Sequence, residues 1–235
     1  MANNILTDLK RHANSAKAKV LQRFFKTGKG SYGEGDVFLG ITVPQLRKIA
    51  AKNEDLPFSE LQRLLNSKIH EHRLVALLIL VQLFQKVEKE KDEKMQREVV
   101  HFYLANLQGV NNWDLVDLTA PQILGQYLLR RDKAVLYFFS HSHNLWKRRI
   151  SIVSTLAFIR NSDFSHTFKI TELLMRDKHD LIHKACGWML REVGKRNQPA
   201  LEKFLAKHRN KLPRAMLRYA IERLSISKKK KYMQK

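Results

Sequence analysis

Trp113 and Asp117 are the two residues whose types and spacing point most directly to chemistry, and both belong to the segment N-N-W-D-L-V-D. Because they are four positions apart, they share one face of a helix. The face of an aromatic ring attracts positive charge, and a neighbouring carboxylate stabilises that charge further. The pair therefore suits a site where a cationic centre forms. A core tryptophan beside a solvated aspartate is the alternative that this spacing leaves open.

Two later segments combine a tryptophan with basic residues. In L-W-K-R-R, Trp146 and Arg149 are three positions apart and share a helix face, where an arginine can bind a phosphate with two hydrogen bonds. In K-A-C-G-W-M-L-R-E, Lys184, Trp188 and Arg191 form a basic and aromatic stripe along one face. These patterns favour contact with a polyanion, while a solvated basic face over a core tryptophan is the alternative.

The histidines and the cysteine offer weaker possibilities. His179 and His183 are four positions apart, and His70 and His72 flank an acidic residue, but no third ligand has a suitable place in the sequence. We therefore predict no metal site. The single cysteine, Cys186, cannot form an internal disulfide and is expected to be a small buried residue rather than a nucleophile. This cysteine usage favours a reducing compartment.

The charge of the chain favours a nucleic-acid partner, with an anionic membrane or an acidic protein as the alternative. Its 235 residues contain 44 Lys and Arg against 22 Asp and Glu, a net charge of +22. The excess is concentrated at the two ends, with +6 in residues 1–30 and +12 in residues 191–235, against +4 between them. The run Lys228–Lys231 belongs to a segment, 227–235, that we expect to be a disordered basic tail adding non-specific attraction, with a localisation or docking element as the alternative.

Helical periodicity runs along nearly the whole chain, without convincing strand alternation. Pro44 fits the first turn of a helix capped by Thr42, Asp114 fits the first turn of a later helix, and Pro121 is expected to kink that later helix. The predicted helices, besides the one at Pro44, cover residues 3–12, 15–26, 58–66, 69–85, 90–107, 112–129, 133–140, 145–160, 165–175, 180–195, 199–207 and 213–224.

These helices repeat with a period typical of a solenoid. Similar helix types recur at steps near 41, 35, 35 and 34 residues, and such periods are typical of HEAT-like repeats. The positions that align are Arg73, Asp114, Arg149, Lys184 and Arg218. We therefore expect an all-α superhelix of HEAT-like repeats in a single domain, residues 1–226, with a concave basic groove. The apolar runs are too short for a membrane span and no secretory signal is visible, so a cytoplasmic protein is expected.

At these motifs the chain resembles the AlkD family of HEAT-like-repeat DNA glycosylases. The resemblance is carried by F-L-G-I-x-x-P at 38–44, by W-D-x-V-D with the following Pro121 and Gly125, by W-x-x-R at 146–149 and by G-W-x-L-R-E at 187–192. The chain departs from some members in two respects. Asp180 and Leu181 stand where those members carry an aromatic pair, and the Gly-rich loop before F-L-G-I is longer.

The resemblance implies a reaction and roles for four residues. Asp117 is the catalytic carboxylate, Trp113 and Trp188 flank the damaged nucleotide, and Arg149 holds the nearby DNA backbone. The reaction is hydrolysis of the N-glycosidic bond of cationic N3- or N7-alkylated purines in duplex DNA. The family uses no metal or cofactor and does not flip the base into a pocket.

Further DNA contacts complete the prediction. The residues expected to make them are Arg148, Lys184, Arg191, Arg73, Trp146 and Thr42. The expected partner is double-stranded DNA containing alkylated purines, with no membrane, and the protein is expected to act as a monomer in the bacterial cytoplasm. Two other functions stay open from the residues: a non-catalytic HEAT-repeat protein that binds distorted or branched DNA, and a protein-interaction scaffold.

Overall fold

The computed structural model describes the backbone of residues 2–234 and the side chains of residues 5–234. Within this range the chain is helical, and a single bridge between Val37 and Ile69 is its one strand-like pairing. The predicted all-α fold class is therefore confirmed. Contacts divide the chain into two compact units, Met1–Thr119 (unit 1) and Ala120–Lys235 (unit 2). Met1 and Lys235, which belong to the predicted domain and tail, lie outside the described residues.

Unit 1 is built around one long buried helix. Its helices are α1 (Ala2–His12), α2 (Ser15–Phe24), α3 (Val43–Ala51), α4 (Phe58–Leu65), α5 (His70–Lys89), α6 (Glu93–Ala105) and α7 (Trp113–Thr119). Helix α5 packs against α3, α4, α6 and α7. All residues from Leu74 to Val81 are buried, as expected of a helix that is apolar on every side. This helix therefore forms the core against which the shorter helices are placed.

Local capping sets where two of these helices begin. The Asn14 side chain accepts a hydrogen bond from the Lys17 N–H at the start of α2. At the start of α3 the Gln45 side chain accepts from the backbone N–H of Thr42, and Pro44 lies in the first turn. Both arrangements satisfy N–H groups that have no partner within the helix. The predicted start at Thr42 and Pro44 is confirmed.

Unit 2 has a second central helix. Its helices are α8 (Ala134–Ser140), α9 (Leu145–Val153), α10 (Leu156–Arg160), α11 (Ser165–Leu174), α12 (Asp180–Arg196), α13 (Gln198–His208), α14 (Arg214–Ala220) and α15 (Ile226–Met233). Helix α12 packs on α9, α11, α13 and α14. A Cβ added to Gly187 would lie 2.5 Å from the carbonyl oxygen of Met216. The absence of a side chain at Gly187 thus lets α14 approach α12 closely.

The helix predicted over 112–129 is interrupted. Helix α7 ends at Thr119, and Pro121–Gly125 forms a π-helical turn in which the Gly125 N–H donates to the Ala120 carbonyl at 2.8 Å. Proline has no N–H and its ring crowds the preceding turn, so the regular ladder fails at this position. The disturbance expected at Pro121 is therefore present. The helix predicted over 145–160 is likewise divided, into α9 and α10.

The basic end of the chain corrects an expectation. Residues 227–235 were expected to be disordered, but Ile226–Met233 form α15. Arg209 donates to the carbonyl of Lys231, and Arg214 donates to the carbonyl of Met233. Cations at this position satisfy the last carbonyls of a helix, which have no partner within it. The expectation of one domain over 1–226 and of a concave groove stays a prediction. Among the described helices, none has both the length and the apolar character needed to cross a membrane.

Candidate functional site

An apolar pocket of about 530 Å³ lies in unit 1, and both Trp113 and Asp117 line it. Its walls come from α2, from the segment 38–46, from the first turns of α5 and from α7. Both side chains are half-buried. Their spacing of four on α7 therefore places them on one face, as expected, and that face borders the pocket.

A column of stacked rings extends from Trp113 into the protein. The rings of Trp113 and Phe25 stack with centroids 5.0 Å apart, and those of Phe25 and Phe38 stack at the same separation. Phe38 then stacks on the imidazole of His70 at 4.5 Å, while Phe24 packs its edge against Trp113 at 5.8 Å. Such contacts add to the burial energy of each ring. They hold the Trp113 indole in a defined position beside the pocket.

A buried network of charged groups lies at the inner end of this column. The His70 ring lies 2.8 Å from an Asp114 carboxylate oxygen through Nε2 and 3.2 Å from Asp36 through Nδ1. Arg73 donates to the other oxygen of Asp36 at 2.7 Å. The Asn112 amide also donates to Asp36, at 3.1 Å. The network joins the Gly-rich loop, α5 and the start of α7, so it fixes the helix that carries Trp113 and Asp117.

The pKa values of His70 and Asp36 keep these two groups charged. Burial by itself would lower the pKa of His70, but the hydrogen bonds to Asp114 and Asp36 outweigh it and raise the pKa to about 9. Burial would raise the pKa of Asp36, but the hydrogen bond from His70 and the Arg73 charge hold it below its ordinary value. At neutral pH, His70 is therefore an imidazolium that donates to both carboxylates.

The buried Glu71 side chain fixes the backbone of the F-L-G-I segment. Its buried carboxylate accepts hydrogen bonds from the three consecutive N–H groups of residues 39–41. Gly40 has φ +84°, and a Cβ there would lie 2.1 Å from the carbonyl oxygen of Asn14. Only glycine fits this position, because it tolerates the left-handed conformation and the close approach. The segment thereby holds Phe38 in the aromatic column and brings α2 against the pocket.

This network is not apparent from the sequence. In the sequence His70 is a weak candidate for a metal ligand, Asp114 is a first-turn carboxylate and an aligned repeat position, and Asp36 belongs to no motif. The partners are 34 and 44 positions from His70 in the chain, so no local spacing relates them. In the part of the chain that the structure describes, no group of three or more His, Cys, Asp or Glu side chains is placed to hold a metal ion.

The expectation that Arg73 contacts DNA is corrected by its burial. Arg73 is only 3% exposed, and its guanidinium donates to Asp36 and to the Ser67 carbonyl. Moving this arginine to DNA would take from the buried Asp36 carboxylate one of its two cationic partners. Arg73 therefore supports the network and does not reach a surface where DNA could lie.

Arg149 and Trp146 lie inside unit 2. Arg149 is 5% exposed and donates to the backbone carbonyl of Leu181 at 2.6 Å, at the start of α12. Trp146 is also buried, which favours the core interpretation left open for its motif. Cys186 is fully buried as expected, and burial raises the pKa of its thiol well above the ordinary range. This leaves Cys186 without the thiolate that a nucleophile needs.

The other basic candidates of unit 2 form ion pairs with aspartates. Arg148 pairs with Asp177 at 2.6 Å, and its guanidinium also donates to the carbonyls of Ser142 and His143. Lys184 pairs with Asp180 at 2.5 Å. Asp180 stands where some family members carry an aromatic residue. In this chain it forms an ion pair on α12.

The remaining candidates have polar partners as well. Arg191 pairs with Glu222, and the Trp188 indole donates to Glu192 at 3.2 Å. The three side chains of the stripe on α12 are partly exposed, so the stripe lies at a surface of unit 2. Thr42 is exposed in unit 1 and lines the pocket.

Comparisons with known proteins concern the family and the fold of this chain. The sequence model of a family described as DNA alkylation repair enzyme matches residues 5–224, nearly the whole chain. Among solved structures, a predicted DNA alkylation repair enzyme from Enterococcus faecalis is similar, with a TM-score of 0.69 and 19% sequence identity. The alignment covers 92% of this chain and 98% of that one. Among curated proteins, none matches this chain significantly.

The structural similarity concerns the fold of the chain, and the sequence match concerns its family. At 19% identity the structural similarity concerns the fold, and it agrees with the helical-repeat class expected from the sequence. The family match rests on the sequence of residues 5–224, which runs from α1 to just beyond α14. On that match, the chain belongs to the family of DNA alkylation repair enzymes.

Proposed function

We propose that this protein is a DNA glycosylase that hydrolyses the N-glycosidic bond of cationic N3- or N7-alkylated purines in duplex DNA. The observation that carries the proposal is the placement of Asp117 beside Trp113 at an apolar, aromatic pocket. The family of the chain makes DNA the expected partner. Action as a monomer in the bacterial cytoplasm is part of the same proposal.

The chemistry requires little more than this carboxylate. An alkylated purine already carries a positive charge, so it leaves with the electron pair of the glycosidic bond without strong general-acid assistance. Positive charge then develops on the sugar. The Asp117 carboxylate stabilises that charge and orients or deprotonates the attacking water, and an apolar surrounding strengthens the effect. The reaction as proposed needs no metal or cofactor.

The basic residues of unit 2 enter the proposal as phosphate contacts. Lys184 and Arg191 lie on the exposed stripe of α12 with Trp188, and a DNA phosphate would compete with the carboxylates that they now pair with. Arg148 is less accessible, and Arg149 requires a change of partner before it can bind DNA. The resemblance assigns Trp188 and Arg149 to the damaged nucleotide and its backbone, and these roles remain proposals.

The decisive experiment is release of free bases from methylated duplex DNA. The wild-type protein is expected to release 3-methyladenine or 7-methylguanine, and Asp117→Asn is expected to slow release by about 10²–10³-fold. Asp55→Asn is the matched control, because Asp55 is an exposed carboxylate outside the pocket. No release by the wild type, or equal rates for Asp117→Asn and Asp55→Asn, contradicts the proposal.

One observation favours the alternative of a non-catalytic protein that binds distorted or branched DNA. Arg149, which the resemblance assigns to the DNA backbone, is buried against the Leu181 carbonyl. On that alternative the protein binds DNA in a salt-sensitive manner without releasing bases. Asp117→Ala then leaves DNA affinity unchanged or improves it, because it removes a negative charge near DNA.

A further inference from the structure

Unit 2 contains a basic hollow that no sequence motif marks and that the proposed reaction does not use. Its volume is about 580 Å³, and it lies where α11 and α13 end. The residues that line it are Glu172, Met175, Arg176, Lys207, His208 and Lys211. We propose that the basic hollow binds phosphates of the DNA backbone, as an anchoring site separate from the stripe on α12.

Stacked rings hold one wall of the basic hollow in place. The rings of Phe168 and Phe204 stack with centroids 4.9 Å apart, and the Phe204 ring packs on the His208 imidazole at 4.6 Å. His208 is buried, and its Nε2 atom lies 2.9 Å from a carboxylate oxygen of Glu172. Because these contacts join α11 to α13, the shape of the hollow is set by the fold itself.

The cations around the basic hollow outnumber its carboxylate. Arg176, Lys207 and Lys211 oppose Glu172 alone. Glu172 faces His208 and lies 4.0 Å from the Lys207 ammonium. Neither Arg176 nor Lys211 forms an ion pair with a residue that the structure describes. Like charges in a concave site repel one another and attract anions, so a bound anion relieves a repulsion that the folded chain carries.

These available cations distinguish the basic hollow from the stripe on α12. On the stripe, Lys184 pairs with Asp180 and Arg191 pairs with a glutamate, so a phosphate has to displace a carboxylate there. In the hollow, the Arg176 guanidinium can bind two phosphate oxygens at once, and the Lys211 ammonium can bind as a point charge. Neither has to leave an acidic partner among the described residues, so phosphate binding costs less in the hollow.

DNA is the source of phosphate that the other findings favour. The family of the chain makes DNA the expected partner, and the inference rests on that part of the proposed function. Duplex DNA presents closely spaced phosphates, and cations from two helix ends can contact neighbouring phosphates of one strand. Such contacts carry no sequence information. They therefore hold DNA on unit 2 whether or not it contains a damaged base.

Binding of undamaged duplex DNA by the full chain, measured at several salt concentrations, tests the basic hollow without base release. Lys207→Gln is expected to reduce the slope of log affinity against log salt by about 0.9, because one phosphate contact is lost. Lys203→Gln is the matched control, since Lys203 is also an exposed lysine of α13 but does not line the hollow. Its slope should equal that of the wild type. An unchanged slope for Lys207→Gln, or equal reductions for the two variants, overturns the proposal.

A variant that gains affinity excludes damage to the fold as the cause. Glu172→Gln removes the carboxylate from the lining and keeps a side chain that can hydrogen bond to His208. It is expected to strengthen DNA binding at fixed salt about twofold. Glu98→Gln removes the same charge from an exposed position of unit 1 and is expected to gain less. Weaker binding by Glu172→Gln, or equal gains for the two variants, contradicts the assignment.

Lysine acetylation followed by mass spectrometry locates the contact. Undamaged duplex DNA is expected to protect Lys207 and Lys211 from acetic anhydride and to leave Lys203 reactive. Polyglutamate is the probe for an acidic protein in place of DNA. Protection of Lys207 and Lys211 by polyglutamate but not by DNA assigns the hollow to an acidic protein and overturns DNA as its ligand.

The basic hollow and the glycosylase are contradicted by different results. A wild-type protein that releases no base, with a reduced salt slope for Lys207→Gln, overturns the glycosylase and supports the hollow. Base release by the wild type, with an unchanged slope for Lys207→Gln, overturns the hollow and leaves the glycosylase intact.

Discussion

The Nε2 atom of His70 lies 2.8 Å from a carboxylate oxygen of Asp114, three positions before Asp117 on the same helix. This contact connects the first turn of α5 with the first turn of α7, and both residues are buried. Because the other ring nitrogen faces Asp36 at 3.2 Å, the imidazolium is held from both sides. The position of the candidate catalytic face thus depends on a charged group that does not itself react in the proposed mechanism.

Replacement of His70 is expected to destabilise the protein strongly. His70→Ala removes the ionic partner of the buried Asp114 and leaves Asp36 with only Arg73 and Asn112, and breaking a buried charge pair costs about 3–5 kcal/mol in the free energy of unfolding. Urea unfolding measures the change. His101→Ala is the control, because His101 is exposed, and it should shift stability by less than about 0.5 kcal/mol. Similar shifts for the two variants would show that the network contributes little.

Stability should decrease as the pH rises from neutral into the alkaline range. The pKa of His70 is raised from 6.5 to about 9 in the folded protein, so its stabilising contribution is complete below 6.5 and is lost as the pH rises through about 9. The pKa of Asp36 is lowered from 3.8, so its contribution is present above 3.8 and is lost in acid. Free energies of unfolding measured from acid to alkaline pH test both losses of stability.

A His70→Gln variant provides the reference for the pH series. It lacks the titrating group, so its stability should vary less than that of the wild type between pH 6.5 and about 9. Parallel curves for the two proteins would assign the alkaline loss to other groups.

Gly40→Ala is expected to cost more than Gly30→Ala. Both glycines have positive φ, +84° and +76°, so both variants carry about 1–2 kcal/mol of backbone strain. A Cβ at Gly40 also meets the Asn14 carbonyl at 2.1 Å, whereas nothing lies within 4 Å of one at Gly30. The difference between their unfolding free energies therefore isolates the clash with α2, and equal values would argue against this close approach.

Variants on α12 test whether its basic stripe binds phosphate. If Lys184 contacts a phosphate, Lys184→Met should reduce the slope of log affinity against log salt by about 0.9. Asp180→Asn removes the carboxylate that pairs with Lys184, so it should strengthen DNA binding at fixed salt. Electrophoretic mobility shifts at several salt concentrations measure both effects. Unchanged slopes for Lys184→Met would remove this residue from the DNA-binding surface.

Much of this molecule could be inferred from the sequence by itself. Helical periodicity gave the all-α class and most helix positions, because 3.6 residues per turn is a local property. The spacing of Trp113 and Asp117 determined that they share a face, and contiguous motifs carried the family resemblance that the comparisons confirm. The capping of α3 by Thr42 was also readable, because its partner Gln45 is three positions away.

Other features were decided only by the tertiary structure. Phe25 and Phe38 join Trp113 in one column, and Asp36 meets His70, although the residues are distant in the chain. The basic pattern at Arg73 suggested a surface, but packing buries that residue against Asp36. Spacing along a helix shows which side chains share a face, whereas burial and long-range pairing depend on which other elements pack against that face.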